Sequence, residues 1–265
     1  FVDCDEKTLG IDPLALSNWL DEISIKKDGK TFNKKTGRII SAIIPMHTYG
    51  HPAKIDHILN ISREYNLNVV EDAAESLGSS YNEKATGSFG EVGVFSFNGN
   101  KIVTTGGGGA IVSNNNKIAL KAKHLSTVAR LAHPYKFSHD MIGYNYRMPN
   151  INAALGCAQL ENLDLFISDK RKLALEYENF FKSQGIIFRA EMENTKTNYW
   201  LMCIELESEK EKELFLKKSR ESAITMRPIW ELINTLPFYA NCQIDSQKNA
   251  KFLKSRILNI PSGVR

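Results

Sequence analysis

Val94-Phe95-Ser96-Phe97-Asn98-Gly99-Asn100-Lys101, continuing through Thr104-Thr105 into Gly106-Gly107-Gly108-Gly109 and Ala110-Ile111-Val112, is the stretch on which the reading of this chain turns. The apolar run over residues 92–97 predicts a short strand that ends in a small polar turn carrying one lysine. The glycines beyond it let backbone come close to whatever that lysine faces. Upstream, Leu67-Asn68-Val69-Val70-Glu71-Asp72-Ala73-Ala74-Glu75 reads as a buried strand with Asp72 at its carboxyl end, the edge of a parallel sheet where ligands bind. Asp72 and Lys101 are therefore expected in one crevice.

A carboxylate, a lysine and the hydroxyl of Ser96 at neighbouring strand ends suit pyridoxal phosphate. The lysine can form a Schiff base with it, the acid can pair with the ring nitrogen, and hydroxyl and amide groups can bind a phosphate. Taken singly, the same residues also fit a helix-capping acid, a solvated lysine and a mobile turn.

The segments Glu71-Asp72-Ala73-Ala74-Glu75-Ser76, Gly87-Ser88-Phe89-Gly90, Phe95-Ser96-Phe97, Lys101, the glycine run and Gly143-Tyr144-Asn145-Tyr146-Arg147-Met148 occur in the order and at the spacing of one family. Through them the chain resembles the DegT/StrS family of sugar aminotransferases over nearly its whole length. The resemblance implies the α/β fold of fold type I pyridoxal phosphate enzymes, a mostly parallel central sheet flanked by helices with a small C-terminal α+β domain. It also implies a homodimer whose active sites are shared. Lys101 would be the Schiff-base lysine, Asp72 the partner of the pyridine nitrogen, Glu75 a neighbour of the phenolic oxygen and Ser96 a phosphate ligand. Asn145 would reach the phosphate held by the other subunit. Dehydratase relatives carry histidine where Lys101 stands, so the chain sides with the transaminases.

The turn Ser-Phe-Asn-Gly-Asn-Lys, a basic insertion between Ile25 and Arg38, Arg227-Pro228-Ile229-Trp230 and Asn259-Ile260-Pro261-Ser262 resemble the subgroup that aminates UDP-4-keto-6-deoxy-N-acetylhexosamines, with L-glutamate as donor. Arg147, Arg227 and Trp230 suit a diphosphate and a flat base, although Trp230 fits a core position and Arg227 a surface charge equally well. The competing readings are another pyridoxal phosphate reaction such as a sugar dehydration, and a non-catalytic nucleotide-sugar-binding or regulatory module on the same fold. A P-loop is disfavoured because no G-x-x-x-x-G-K-[ST] occurs and the lysine precedes the glycines. The resemblance places a phosphate-binding Gly-Thr region and a ring-stacking aromatic upstream of Phe1, and a last helix beyond Arg265. The large domain is thus expected over residues 1–165 without its beginning, and the small one over 166–265 without its end.

Length suits one large α/β domain with a small second domain. A 265-residue chain can bury a full core, and a net charge of +4 with pI near 8.7 is mild. The basic residues cluster in Lys26, Lys27, Lys30, Lys34, Lys35 and Arg38, interleaved with Asp28, Gly29 and Gly37, as a solvated hairpin would be; nucleic-acid binding has no supporting aromatic or groove-reading pattern. Cys4, Cys157, Cys203 and Cys242 are far apart, which suggests free thiols in the cytoplasm and no metal site. Neither a membrane span nor a secretory signal is legible.

In chain order, residues 1–4 read as a strand, and Asp12-Pro13 caps and starts a helix whose apolar face is Leu14, Leu16, Trp19, Leu20 and Ile23. Residues 39–45 read as a buried strand. The loop Met46-His47-Thr48-Tyr49-Gly50-His51-Pro52 should open on the edge that holds Asp72 and Lys101, where His47 could meet cofactor or substrate or simply brace the loop. Helices are expected over 54–65 and 115–125, an ordered binding loop over 133–150, and one long or kinked helix over 151–182. Beyond it, strands at 186–189, 199–206, 224–227 and 257–260 alternate with helices at 209–221 and 246–254.

Overall fold

A computed structural model describes residues 1–264 of the chain; the last position of the expected C-terminal domain, Arg265, lies outside the described residues. Helix α1 (Pro13–Ile23) starts as its sequence predicts, with Asp12 accepting from the Leu14 amide and Pro13 at the first turn. The basic insertion is a hairpin of β1 (Ser24–Lys27) and β2 (Lys30–Asn33), joined on its far side by β3 (Ile39–Ile40). Strand β4 (Ala42–Ile43) follows, α2 (Ile55–Glu64) carries the chain back, and β5 (Asn68–Asp72) pairs with β4 in parallel. A small hairpin, β6 (Ser80–Tyr81) and β7 (Lys84–Ala85), precedes β8 (Val92–Ser96), which is parallel to β5; β9 (Gly109–Val112) closes the sheet antiparallel to β8. The sheet order is β4-β5-β8-β9. Its buried face packs on α1 and α2 through Leu16, Leu20, Ile43, Ile55, Ile58 and Val69.

Helices α3 (Asn116–Ser126), α4 (Asn150–Leu160) and α5 (Leu163–Ser183) come next. A second sheet, β10-β12-β14-β13, is antiparallel throughout and is built from β10 (Ile187–Phe188), β12 (Met202–Glu205), β13 (Arg227–Pro228) and β14 (Ile257–Ile260). It carries α6 (Glu209–Glu221) and α7 (Lys248–Arg256), and its core joins Leu173, Phe181, Met202, Ile204 and Leu258. Between these strands β11 (Thr195–Lys196) leaves the second layer to pair with β6. A third cluster ties the layers together, with Leu9 and Tyr49 from one side and Trp200, Cys203, Leu253 and Ile257 from the other. Asp3 reinforces that union from the start of the chain, since its two oxygens accept the Asn249 and Ala250 amides at the first turn of α7.

Three expectations need correction. Residues 1–4 form only an isolated bridge between Cys4 and Ile11, because Asp3 and Asp5 direct the backbone into turn and cap hydrogen bonds. The stretch 39–45 is two short strands, not one buried strand: Ile39 belongs to the hairpin and is 48% exposed, Ile44 is 63% exposed, and Ser41 separates the two pairings. The helix over 151–182 is broken at Asn162, whose side-chain amide takes the Ala158 carbonyl that the next turn would need. The boundary expected between residues 165 and 166 falls inside the continuous helix α5. No helix among the described residues is long and apolar enough to cross a membrane.

Candidate active site

The site is built at the carboxyl ends of β5 and β8. Successive residues of a strand face opposite sides, so β5 sends Glu71 inward and Asp72 toward the crevice. Glu71 is completely buried and accepts four hydrogen bonds: from His47 Nε2 at 3.0 Å and from the amides of Gly87 (2.7 Å), Phe89 (2.6 Å) and Gly90 (2.7 Å). Burial alone would raise its carboxyl, but the His47 bond and these amides hold it below the usual range. The turn 87–90 is thereby fixed against the strands. There is no room for a side chain on this turn's neighbour: a Cβ on Gly93 would stand 2.0 Å from the Gly87 carbonyl oxygen.

Lys101 extends from the turn after β8 back over this edge. Its Nζ lies 3.4 Å from Glu75 Oε1 and 3.7 Å from the centre of the Trp200 ring, and its side chain is 12% exposed. The other oxygen of Glu75 accepts the backbone N–H of Tyr49 at 2.7 Å. Tyr49 has the left-handed backbone (φ 60°) that this contact requires, and its hydroxyl accepts from Asn259 at 3.1 Å. Burial pushes the Glu75 carboxyl up, and the charge of Asp72 adds to that, against the opposing pull of the Tyr49 amide and Lys101. The Glu75 carboxyl thus stands within the fields of both Asp72 and Lys101. Asp72 itself is half-buried and accepts the Ala74 amide at 3.1 Å, with its backbone tied to Pro45 and His47.

The other expected residues divide clearly. Ser96 ends β8, half-buried opposite Gly109, and its Oγ accepts the Asn98 amide at 3.3 Å. Trp230 is 48% exposed, stacks on Trp200 with ring centres 6.2 Å apart, and walls a largely apolar cavity of about 460 Å³ that reaches Glu75, Met46 and Thr48. Arg227 is exposed on β13 opposite Asn259 and does not line that cavity. Asn145 and Arg147 lie exposed on the loop over 133–150, Asn145 bridged to Thr127; Arg147 lines a groove of about 720 Å³ along Gly107, Gly108 and Gly109. His47 is not at the crevice surface. It is fully buried, its Nδ1 accepts the Ala53 amide at 3.0 Å, and its Nε2 is left to donate to Glu71, so it braces the loop and offers a substrate no atom.

Sequence reasoning gave no role to Glu71, Tyr49, Asn198 or Trp200. An acid inside an apolar strand, followed by Gly87-x-x-Gly90, is the one signal that could have pointed to Glu71. Pyridoxal phosphate fits what is present. A single primary amine, a carboxylate at the adjoining strand end and a serine hydroxyl open to further donation occupy one crevice edge, beside glycines that let backbone approach. No group of residues able to hold a metal ion occurs among the described residues.

Comparison with known proteins agrees. The sequence profile of the DegT/DnrJ/EryC1/StrS aminotransferase family matches residues 1–265. A Bacillus subtilis protein, EpsN, named by inference as a pyridoxal phosphate-dependent aminotransferase, is 37% identical over 90% of this chain and 59% of its own length. A GDP-perosamine synthase of Escherichia coli O157:H7 is 35% identical over 99% of this chain and 67% of its own length. A UDP-4-amino-4,6-dideoxy-N-acetyl-beta-L-altrosamine transaminase of Campylobacter jejuni is 34% identical over 60% of this chain and 45% of its own. Among solved structures, Helicobacter pylori PseC has the same fold, with a TM-score of 0.88 at 23% identity over all of this chain and 68% of that one. The chain therefore spans about three-fifths to two-thirds of the length of the first two relatives.

Proposed function

Because the chain belongs to the DegT/DnrJ/EryC1/StrS aminotransferase family, we propose that it is a pyridoxal phosphate-dependent aminotransferase of the fold type I class. It moves an amino group from L-glutamate to the keto group of a nucleotide-linked sugar. The observation that carries this reading is the Lys101 amine, held 3.4 Å from Glu75 at the strand edge that also bears Asp72.

When bound, pyridoxal phosphate supplies an electron sink for the carbon that gains or loses a proton. Lys101 would hold the cofactor through Nζ, and the same nitrogen would carry the proton to and from the reacting carbon. Asp72 would keep the ring nitrogen protonated, since a neighbouring carboxylate favours the charged ring. Glu75 orients Lys101 from one side and would neighbour the phenolic oxygen of a bound ring. Ser96 would donate its hydroxyl to the phosphate. The loop over 133–150 exposes Tyr135, Phe137, Ile142 and Tyr146, an apolar surface that a second copy of the chain would cover. In such a homodimer Asn145 serves the phosphate of the neighbouring site. The four free thiols, Cys4, Cys157, Cys203 and Cys242, suit a reducing cytoplasm.

For the substrate, the favoured reading is a UDP-linked 4-keto-6-deoxy-N-acetylhexosamine. It is supported by the motif around Trp230, which walls the cavity beside Glu75, and by the Campylobacter relative. Arg147, which lines the groove along the glycine run, is the candidate for the diphosphate; Arg227, expected there from sequence, stands outside the lining of the cavity beside Glu75. A GDP-linked sugar is the second reading, favoured by the GDP-perosamine synthase that aligns over 99% of this chain. A panel of UDP-, GDP- and dTDP-linked 4-keto-6-deoxy sugars with L-glutamate separates them. Higher kcat/KM for the UDP-linked N-acetyl sugar supports the first and preference for the GDP sugar supports the second. Absence of 2-oxoglutarate with every acceptor would remove the activity itself.

A further inference from the structure

The turn that presents Lys101 is exposed at Asn98, Gly99 and Asn100, and a Cβ on Gly99 would meet no atom within 4 Å. Its inward tether comes from the other layer of the molecule. Trp200 donates its indole N–H to the Asn100 carbonyl at 2.6 Å, and the face of the same ring lies 3.7 Å from Lys101 Nζ. Trp200 is 5% exposed and held in turn by Asn198, whose Oδ1 accepts the Trp200 amide at 2.8 Å. The Asn198 side-chain amide donates to the carbonyls of Glu75 and Leu77, each at 2.9 Å. Asn198 is wedged against Gly50 so tightly that a Cβ there would stand 1.9 Å from its Oδ1. One frame therefore fixes the acid beside the lysine, the aromatic face beneath it and the backbone that carries it.

We propose that Trp200 is a positioning residue for Lys101. Its N–H clamps the turn at Asn100, and its ring, with Glu75, forms the seat that the free ε-ammonium occupies. A cation seated on an aromatic face is attracted by the negative face of the ring, the more so where both groups are largely buried, as Lys101 and Trp200 are. Phenylalanine would keep a ring but lose the clamp, and leucine would lose both. This inference rests on the reading of Lys101 as the cofactor-bearing residue, but its first readout does not.

That readout is the NMR shift of the Lys101 ε-methylene in cofactor-free protein labelled with 13C at lysine Cε and assigned with Lys101→Arg. Lying over the indole, the resonance should sit well upfield of the other lysines in the unaltered protein, move part-way back in Trp200→Phe, and reach the exposed-lysine position in Trp200→Leu. The unaltered protein and the conservative phenylalanine variant decide the matter even if the leucine variant does not fold. The second readout is the rate at which added pyridoxal phosphate becomes bound to Lys101 in borohydride-reducible form. It should fall roughly 10- to 100-fold in Trp200→Phe, as misplacement of a reacting group by about 1 Å does, while the far-ultraviolet circular dichroism stays unchanged. An ordinary ε-methylene shift in the unaltered protein, or an undiminished capture rate in Trp200→Phe, overturns the role of Trp200 and leaves the aminotransferase reading standing. Upfield lysine without any capture of pyridoxal phosphate supports the seat and removes the cofactor reading instead.

Discussion

Asp72 could be placed from sequence because it ends an apolar run whose period sets the side it faces; Lys101 followed from its place in the turn after the next strand, and Glu75 from the family resemblance alone. Two consequences follow at single residues. Asp72→Asn should still bind pyridoxal phosphate but slow both half-reactions by about two orders of magnitude or more, measured by single-turnover absorbance; near-normal turnover would make Asp72 a structural acid only. The second concerns His51, which is wholly buried with Nε2 unpartnered among the described residues and Nδ1 3.4 Å from Thr197. Burial pushes its imidazole down to about 4, against Glu191, which pulls the other way, and together with Arg189, which pushes it further down. Protonation therefore favours the unfolded chain. Stability should be fully present above about pH 6.5 and fall as the pH drops from there toward 4, by roughly 3 kcal/mol in all. Urea midpoints at pH 7 and pH 5 should differ in the natural protein and nearly coincide in His51→Phe. An equal pH dependence in both would assign the loss to other groups.

Among the elements, β5, β8, α1, α2 and α6 follow directly from their periodicity and caps. The parts that escaped sequence reading are those decided by distant partners. Strand β11 exists because residues 195–196 pair with residues 80–81, more than a hundred positions earlier, and nothing local marks either segment as a strand. The break between α4 and α5 depends on one asparagine turning its side chain onto its own helix. Sequence left His47 open as a site residue or a brace for its loop, because ring orientation is set by the Ala53 amide and Glu71, which local pattern does not encode. The turn over 87–90 gives the sharpest test at this scale. Glu71→Gln would set an amide group against the four donors that now converge on two oxygens, leaving at least one pair of N–H groups opposed. A loss of about 3 kcal/mol in unfolding free energy is expected, with the turn's amides exchanging faster with solvent. A change within 0.5 kcal/mol, the scale of ordinary surface substitutions, would show that the Glu71 network contributes little.

Across the whole molecule, Lys101 is held by elements from both layers. Asp3 caps a helix near the other end of the chain, Tyr49 and Asn198 meet at Glu75, and Trp200 reaches the Lys101 turn. The exposed aromatic loop over 133–150 is the surface on which the proposed second subunit would dock. Heterodimers formed from Asn145→Ala and Lys101→Ala proteins should regain part of the activity that each lacks alone, since one of the two sites would then be intact; verified heterodimers without activity would confine the site to one subunit. The most direct test of the central claim is the fate of the amine itself. The protein is loaded with pyridoxal phosphate, reduced with borohydride with or without prior L-glutamate, digested and mapped by mass. The account predicts a phosphopyridoxyl group on Lys101 without glutamate, and its loss, with release of 2-oxoglutarate, when glutamate is added first. A label on another lysine, or one that glutamate leaves untouched, would contradict it.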